Sequence, residues 1–372
     1  MNRDHKLDLL DMPEMLGVLF DDVDHAQERI DIECYIFSSD EFGKDFAERM
    51  CKAKGRGVKT RALYDPLGSQ KAEEKFFEEM CGKGVDFRPY RPLWKTLGSG
   101  KLAPRDHGRI FLVDQIAVTG GAAWAKPWAP KDRGGEGWQD INIRIEGPVV
   151  ADFAELFEQR WREAEGKGAQ PKDFDTGKKY DELRLVGDTP RKDTSLVYEE
   201  HVERISRAKK RIWMANAYFL PPPPMMKELL AAAKRGVDVR IILPGISDLG
   251  VIRRASRHEY GAWIEGGLKI FEYQDVVMHS KYAVIDDDWC TVGTFNANST
   301  SLGAANEINV FVFRPDFVEV CAKQMVKDLE QSKAITLEMA RNRPFLEQAG
   351  DEISNALFAL ADIAVGPNNP RK

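Results

Sequence analysis

Two stretches of the chain repeat one order of apolar and polar residues. ERIDIECYIF (28–37) is a run rich in β-branched and aromatic residues, and FAERMCKAKGRGVKTRALYD (46–65) follows it with a helical pattern, Arg-Gly-Val and a second apolar run. KRIWMANAYFL (210–220) and KELLAAAKRGVDVRIILP (227–244) do the same. The runs predict strands and the middle segments predict helices. Gly57 and Gly236 stand where a left-handed residue ends a helix and lets the chain turn back. Strand, helix, strand in this order predicts a crossover with parallel pairing.

The likeness continues. HGRIFLVD (107–114) is matched by HSKYAVID (279–286), each followed by a short strand and a glycine step, Gly120-Gly121 and Gly293-Thr294. Side chains at i and i+2 share one face of an extended chain, so His107 pairs with Arg109 and His279 with Lys281, while the alternating apolar residues turn to the core. The expected architecture is α/β, two similar halves. The first half takes residues 1–164 and the second 183–322. EGKGAQPKDFDTGKKYDE (165–182), charged and weakly patterned, reads as a linker. Residues 323–372 read as a helical region whose last residues, GPNNPRK, form a frayed end.

Composition narrows the class. With 372 residues and 43% apolar content, two ordinary domains can each bury a core. The net charge of −6 argues against a general nucleic-acid binder, which carries a basic field. Cys34, Cys51, Cys81, Cys290 and Cys321 make an odd count with no C-x-x-C pair, which speaks for a reducing compartment rather than a disulfide framework or zinc site. The opening MNRDHKLDLLDMPEML has no apolar signal region, and no run of 18 apolar residues exists. A cytoplasmic protein is expected, with any membrane contact peripheral.

At these residues the chain resembles the phospholipase D superfamily, whose mark is two HKD motifs, and within it the bacterial cardiolipin synthase-like members. The resemblance runs from about Glu28 to Phe317. It is carried by CYIF (34–37), RGVKTRALYD (56–65), WQDINIRIEGPVVADFAELFEQRW (138–161), HSKYAVID, GTFN (293–296) and NEINVFVFRPDF (306–317). It implies two phospholipase D-type halves about a pseudo-twofold axis, both motifs lining one cleft. It implies phosphodiester chemistry without metal or cofactor. One histidine attacks phosphorus to form a phosphohistidine, and the other protonates the leaving alcohol and then activates water or an acceptor alcohol. By family precedent His107 is the nucleophile and His279 the acid and base. Lys281 and Arg109 bind phosphoryl oxygens, Asn296 and Thr294 add hydrogen bonds, and Glu307 and Asp140 orient the histidines. Asp114 and Asp286 complete the motifs as supports through ion pairs.

The first motif departs from the pattern. Arg109 replaces Lys, keeping the charge with a different shape. Its glycine step reads GGAAW, so Ala123 or a neighbour replaces the expected Asn, and Trp124 is expected to reshape that side of the cleft. Loss of one preorganised donor costs on the order of a hundredfold in rate. His201 and His258 lack such surroundings and read as ordinary. FRPYRPLWKTLGSGKLAPR (87–105) interleaves Arg88, Arg91, Lys95, Lys101 and Arg105 with Leu93, Trp94 and Leu97, a mix suited to anionic headgroups or a nucleic-acid backbone. The leading expectation is an enzyme hydrolysing phospholipids or transferring phosphatidyl groups, with phosphatidylglycerol the lead acceptor and cardiolipin the product. Its partners would be the phospholipid substrate and an anionic membrane surface, and the resemblance would put that contact at the inner membrane. The alternatives are a nuclease of the same superfamily and a lipid-binding protein with a decayed first site.

Overall fold

The computed structural model describes residues 4–92, 104–167, 171–190 and 195–342. The chain forms two compact units. The first comprises Met1–Thr189, Val292–Thr294 and Ala305–Val310, and the second Pro190–Thr291, Phe295–Ala304 and Phe311–Lys372.

In the first unit a seven-stranded sheet runs in the order Lys6–Asp11, Ile141–Glu146, Ile116–Gly120, Ile110–Val113, Arg29–Cys34, Lys59–Tyr64, Asp86–Pro89. Arg29–Cys34 and Lys59–Tyr64 pair in parallel across the helix Glu41–Gly55. Asp40 starts that helix by accepting the Gly43 amide at 3.0 Å, and Asp11 starts Met12–His25 by accepting Glu14 at 3.0 Å, both ordinary side-chain N-caps. In the second unit the order is Ser332–Ile335, Lys269–Tyr273, Asp238–Pro244, Arg211–Asn216, Lys281–Ile285, then Trp289–Gly293, whose last two residues are counted with the first unit. Here Arg211–Asn216 and Asp238–Pro244 are parallel across Pro223–Lys234. Each unit is thus the same α/β arrangement, a parallel crossover laid against an antiparallel hairpin. Gly57 and Gly236 end their helices at φ +96° and +89°, and a Cβ at either would touch nothing, so conformation alone asks for glycine there.

The expected alternation of apolar and polar residues on the motif strands does not hold. Every residue of Ile110–Val113 and Lys281–Ile285 is buried, as in sheets covered on both faces. The region expected to be helical from Lys323 contains the end of helix Pro315–Glu330, then the strand Ser332–Ile335 on the edge of Lys269–Tyr273, then the helix Leu337–Arg341. The rest of that region, residues 343–372 with GPNNPRK at its end, lies outside the described residues. The segment read as a linker contributes Phe174–Asp175, which pairs with Val186–Gly187 while Arg184 grips Asp175 at 2.8 Å through two nitrogens. No helix among the described residues is long and apolar enough to cross a membrane.

Candidate active site

In the first unit His107 lies just ahead of the strand Ile110–Val113, and its backbone N–H donates to the Asn306 carbonyl at 3.1 Å. Its Nδ1 is 3.0 and 3.1 Å from the two carboxylate oxygens of Glu307, which is wholly buried. The same carboxylate accepts from the Thr294 hydroxyl, and that hydroxyl accepts the Ile308 amide at 2.9 Å. Arg109 is also fully buried. It donates to the His107 carbonyl at 2.9 Å and holds two guanidinium nitrogens 3.4 Å from His107 Nε2.

These contacts fix the tautomer. A guanidinium only donates, so the Nε2 facing it carries the lone pair, and the ring proton sits on Nδ1 toward Glu307. His107 therefore offers an oriented lone pair beside a positive charge. The edge of Tyr35 closes the other side, with ring centroids 5.3 Å apart.

Beneath His107 lies a buried charge cluster. Arg160 pairs with Glu33 and stands 3.9 Å from Asp106, and all three are buried. Burial raises the carboxyls of both Glu33 and Asp106, against the pull of Arg160. Gly108 leaves room above this cluster, and any larger residue would have to displace the ends of the paired side chains. A Cβ there would lie 2.3 Å from Arg160 and 2.4 Å from Glu33. Asp65 accepts the Asp106 amide at 2.8 Å and Arg105 at 3.1 Å, and burial pushes its carboxyl up to about 6.

In the second unit His279 is nearly buried. Lys281 Nζ lies 3.0 and 3.1 Å from its two ring nitrogens and also donates to its carbonyl. Tyr218 meets the ring edge-on at 5.7 Å and lies 5.6 Å from the Lys281 ammonium. The following loop is built on carboxamides. Asn216 donates to the Phe295 carbonyl at 3.2 Å and accepts from Ala297 at 3.1 Å, and Asn298 donates to the Tyr218 carbonyl at 3.0 Å. Asn296 is held in this loop with a buried side-chain oxygen that has no partner among the described residues, so its carboxamide keeps unspent hydrogen-bonding capacity.

Comparison with known proteins decides the family. The family model described as "Cardiolipin synthase, PLD-like domain" matches residues 19–161 and 201–329, so His107 falls in one match and His279 in the other. The chain belongs to this family. It is 27% identical over 353 residues to the cardiolipin synthase of Geobacillus kaustophilus, covering 93% of this chain and 70% of that one. It is 27% identical over 360 residues to the cardiolipin synthase of Clostridium perfringens, covering 94% and 75%. Its fold resembles the crystal structure of phosphatidylserine synthase from Haemophilus influenzae, with a TM-score of 0.79 at 13% identity over 96% of this chain and 94% of that one.

Within this family's frame, several residues stand elsewhere than the motif alone suggests. Asp114 and Asp286 are not ion-paired supports. Each sits in a turn at positive φ (49° and 52°), and each carboxylate accepts three consecutive backbone amides. Those amides are Gln27, Glu28 and Arg29 for Asp114, and Lys209, Lys210 and Arg211 for Asp286. They tie the end of the hairpin to the start of the neighbouring strand. Although burial raises the Asp114 carboxyl, the Arg29, Gln27 and Glu28 amides outweigh it and hold the group below its usual range.

Thr294 spends its hydroxyl on Glu307 and Ile308, so it braces the His107 network. Asp140 is buried, accepting Trp128 and Ile141 at 3.0 Å each, and it requires Gly121, whose Cβ would lie 2.0 Å from its carboxylate. The isolated bridges Phe37–Trp124 and Leu220–Asn298 place Trp124 where the second half has Asn298, and the shorter segment before it, Ala122-Ala123, holds no carboxamide where the second half has Asn296. Trp124 does not border a cleft. It stacks on Phe46 at 3.5 Å in the first core, packed also against Phe42 and Phe111.

Of the 87–105 stretch, Leu93, Trp94, Lys95, Leu97 and Lys101 lie outside the described residues. The rest is engaged: Arg88 with Asp86 and Glu165, Arg91 with Asn306 and Glu163, Arg105 with Asp65. His201 is buried among Trp289, Phe295 and Phe311, where burial lowers its pKa. Motif reading missed Tyr35, Tyr218, Asn298 and the Glu33–Asp106–Arg160 cluster. The Tyr at the third place of both ECYIF and NAYFL was the one available signal.

Proposed function

We propose that the chain is a phosphatidyltransferase that acts on phospholipids through a phosphohistidine, with phosphatidylglycerol as donor and acceptor and cardiolipin as product. The observation that carries this reading is His107, its Nδ1 on a buried carboxylate and its Nε2 lone pair beside a buried guanidinium. A phosphodiester is anionic, so attack needs a neutral nucleophile and fixed positive charge around the phosphoryl oxygens.

His107 Nε2 forms the bond to phosphorus as the bond to the departing glycerol oxygen breaks. His279 gives that oxygen its proton. The phosphorylated imidazole is cationic, and Glu307 at Nδ1 offsets the charge. His279, now neutral, takes the proton of the incoming alcohol, whose oxygen displaces His107. Arg109 and Lys281 supply the charge and Asn296 a hydrogen bond. The orienting role of Asp140 toward His279 stands as part of the same proposal. The cardiolipin synthase relatives favour lipid over nucleic acid, and the net charge of −6 leans the same way.

The test is incubation with phosphatidylglycerol vesicles in excess EDTA, beside His279→Ala, with products and protein followed by mass spectrometry. Cardiolipin from the wild type alone, and a phosphatidyl adduct on the His107 peptide, are expected. An adduct on His279 reverses the two roles. Turnover in His279→Ala equal to wild type overturns the mechanism. Cleavage of single-stranded DNA with no lipid product moves the chain to the nucleases.

A further inference from the structure

A phospholipid substrate sits in a bilayer, and on that reading the protein needs a surface that meets one. PGISDLGVIRR (244–254) supplies a candidate in the second unit. Ile246, Leu249 and Val251 are 52%, 45% and 42% exposed, three large apolar side chains within six residues. Elsewhere among the described residues such exposure falls on single positions, Val320, Val326 and Met339, which is ordinary for a soluble surface.

The loop is built to hold its apolar tip outward. Its Gly245 amide donates to the Tyr273 carbonyl at 2.9 Å, and a Cβ there would lie 2.5 Å from that oxygen, so only glycine lets the chain leave the strand this way. The Leu249 amide donates to Ser247 at 3.1 Å. The helix that follows, Gly250–Glu265, is fastened by Ser256, whose hydroxyl donates to the Phe219 carbonyl at 2.5 Å.

Two further observations name the occupant. The loop is joined to the chemistry: the Tyr218 hydroxyl donates to Asp248 at 2.9 Å, and the same tyrosine lies edge-on against His279. The apolar tip therefore stands one side chain from the imidazole. The helix also presents Arg254 and His258, exposed and four residues apart on one face, and among the described residues Arg254 has no ion-pair partner. Apolar side chains at a tip with a cation just behind them match the layering of a bilayer, acyl chains below and phosphates above.

We infer that the Gly245–Val251 loop enters the surface of an anionic phospholipid bilayer, with Arg254 at phosphate level, and so brings His279 to the height of the scissile phosphodiester. The inference rests on the phospholipid reading, and its test separates the two. Ile246→Ser/Leu249→Ser/Val251→Ser and, as control, Val320→Ser/Val326→Ser are compared with wild type by flotation with phosphatidylglycerol–phosphatidylcholine vesicles. Turnover of short-chain phosphatidylglycerol dispersed as monomers is measured beside it.

The loop variant is expected to lose at least about tenfold in vesicle partition. It should keep its thermal midpoint and its turnover of monomeric lipid. The control should float like wild type. Undiminished flotation of the loop variant, an equal loss in the control, or a parallel loss of monomer turnover overturns the inference. A wild type that turns over monomers but does not float overturns the loop alone. A wild type that floats through this loop but leaves monomeric lipid intact overturns the phospholipid reading instead.

Discussion

Glu307→Gln is the sharpest perturbation of the proposed chemistry. The carboxylate is fully buried and receives two donors, His107 Nδ1–H and the Thr294 hydroxyl. Gln keeps the shape but has one acceptor oxygen and adds an N–H₂ group. Either the two donors compete for that oxygen, or the amide faces Nδ1 and drives the ring proton to Nε2, against Arg109, where it removes the nucleophilic lone pair. The variant also loses the charge that offsets the cationic phosphohistidine. A hydrogen bond to a charged group is worth about 1.5–3 kcal/mol, and the lost charge adds to it. A barrier rise of about 2–4 kcal/mol corresponds to roughly a 30- to 1000-fold slower formation of the intermediate. The assay is rapid quench with phosphatidylglycerol vesicles in EDTA, following the adduct by mass, with a thermal melt to confirm the fold. Formation within threefold of wild type, on an unchanged pH profile, would refute the assignment of His107 as the nucleophile held by Glu307.

Other outcomes follow from the same geometry. Arg109→Lys should keep activity within about tenfold in the vesicle assay, because Lys281 already makes the same contacts, to its histidine's carbonyl and ring nitrogens, with an ammonium; complete loss would show that the guanidinium is required. Asp286→Ala leaves three backbone amides without their acceptor and should cost roughly 1–3 kcal/mol in urea unfolding, while the folded protein still turns over lipid. Asp65 is raised from 3.8 to about 6, so the folded state binds the proton more tightly and stability falls as pH rises through that window. Relative to Asp65→Asn, wild type should lose up to about 2 kcal/mol between pH 4.5 and 7, and a difference that stays flat or rises with pH refutes the shift.

The repeat was readable because its signals are local. Arg-Gly-Val needs only the left-handed glycine, and H-x-[KR] needs only two residues on a strand. What stayed hidden depends on distant partners. Arg88, Arg91 and Arg105 look like a free basic loop until Asp86, Glu163, Glu165 and Asp65 are seen beside them. Gly108 looks interchangeable with its counterpart Ser280 until Arg160 is found beneath it. The motif carboxylates Asp114 and Asp286 look like ion-paired supports because of their place in the motifs, whereas only the fold shows the three amides each one collects. Alternation failed on the motif strands because both faces are covered, so Arg109 and Lys281 are buried cations rather than surface ones.

The two halves differ most beneath their histidines, and one proton explains the difference. Where the second half has neutral Asn216 and Ser280, the first has Glu33 and Gly108 over Asp106 and Arg160. Two buried carboxylates against one guanidinium would leave a net negative charge in the core, which costs several kcal/mol. The structure also leaves one oxygen of each, Glu33 Oε2 and Asp106 Oδ2, without a conventional partner. A proton on Glu33 resolves both problems: it neutralises the cluster and makes the two orphan oxygens donor and acceptor, in keeping with the raised carboxyls. Glu33→Gln reproduces that state, its oxygen accepting from Arg160 and its N–H₂ donating to Asp106. It should therefore change stability in urea unfolding by less than about 1 kcal/mol at pH 7. If Glu33 were ionised, the same change would break a buried ion pair and cost about 3–5 kcal/mol. A loss of that size would remove the shared proton from the floor of the His107 site.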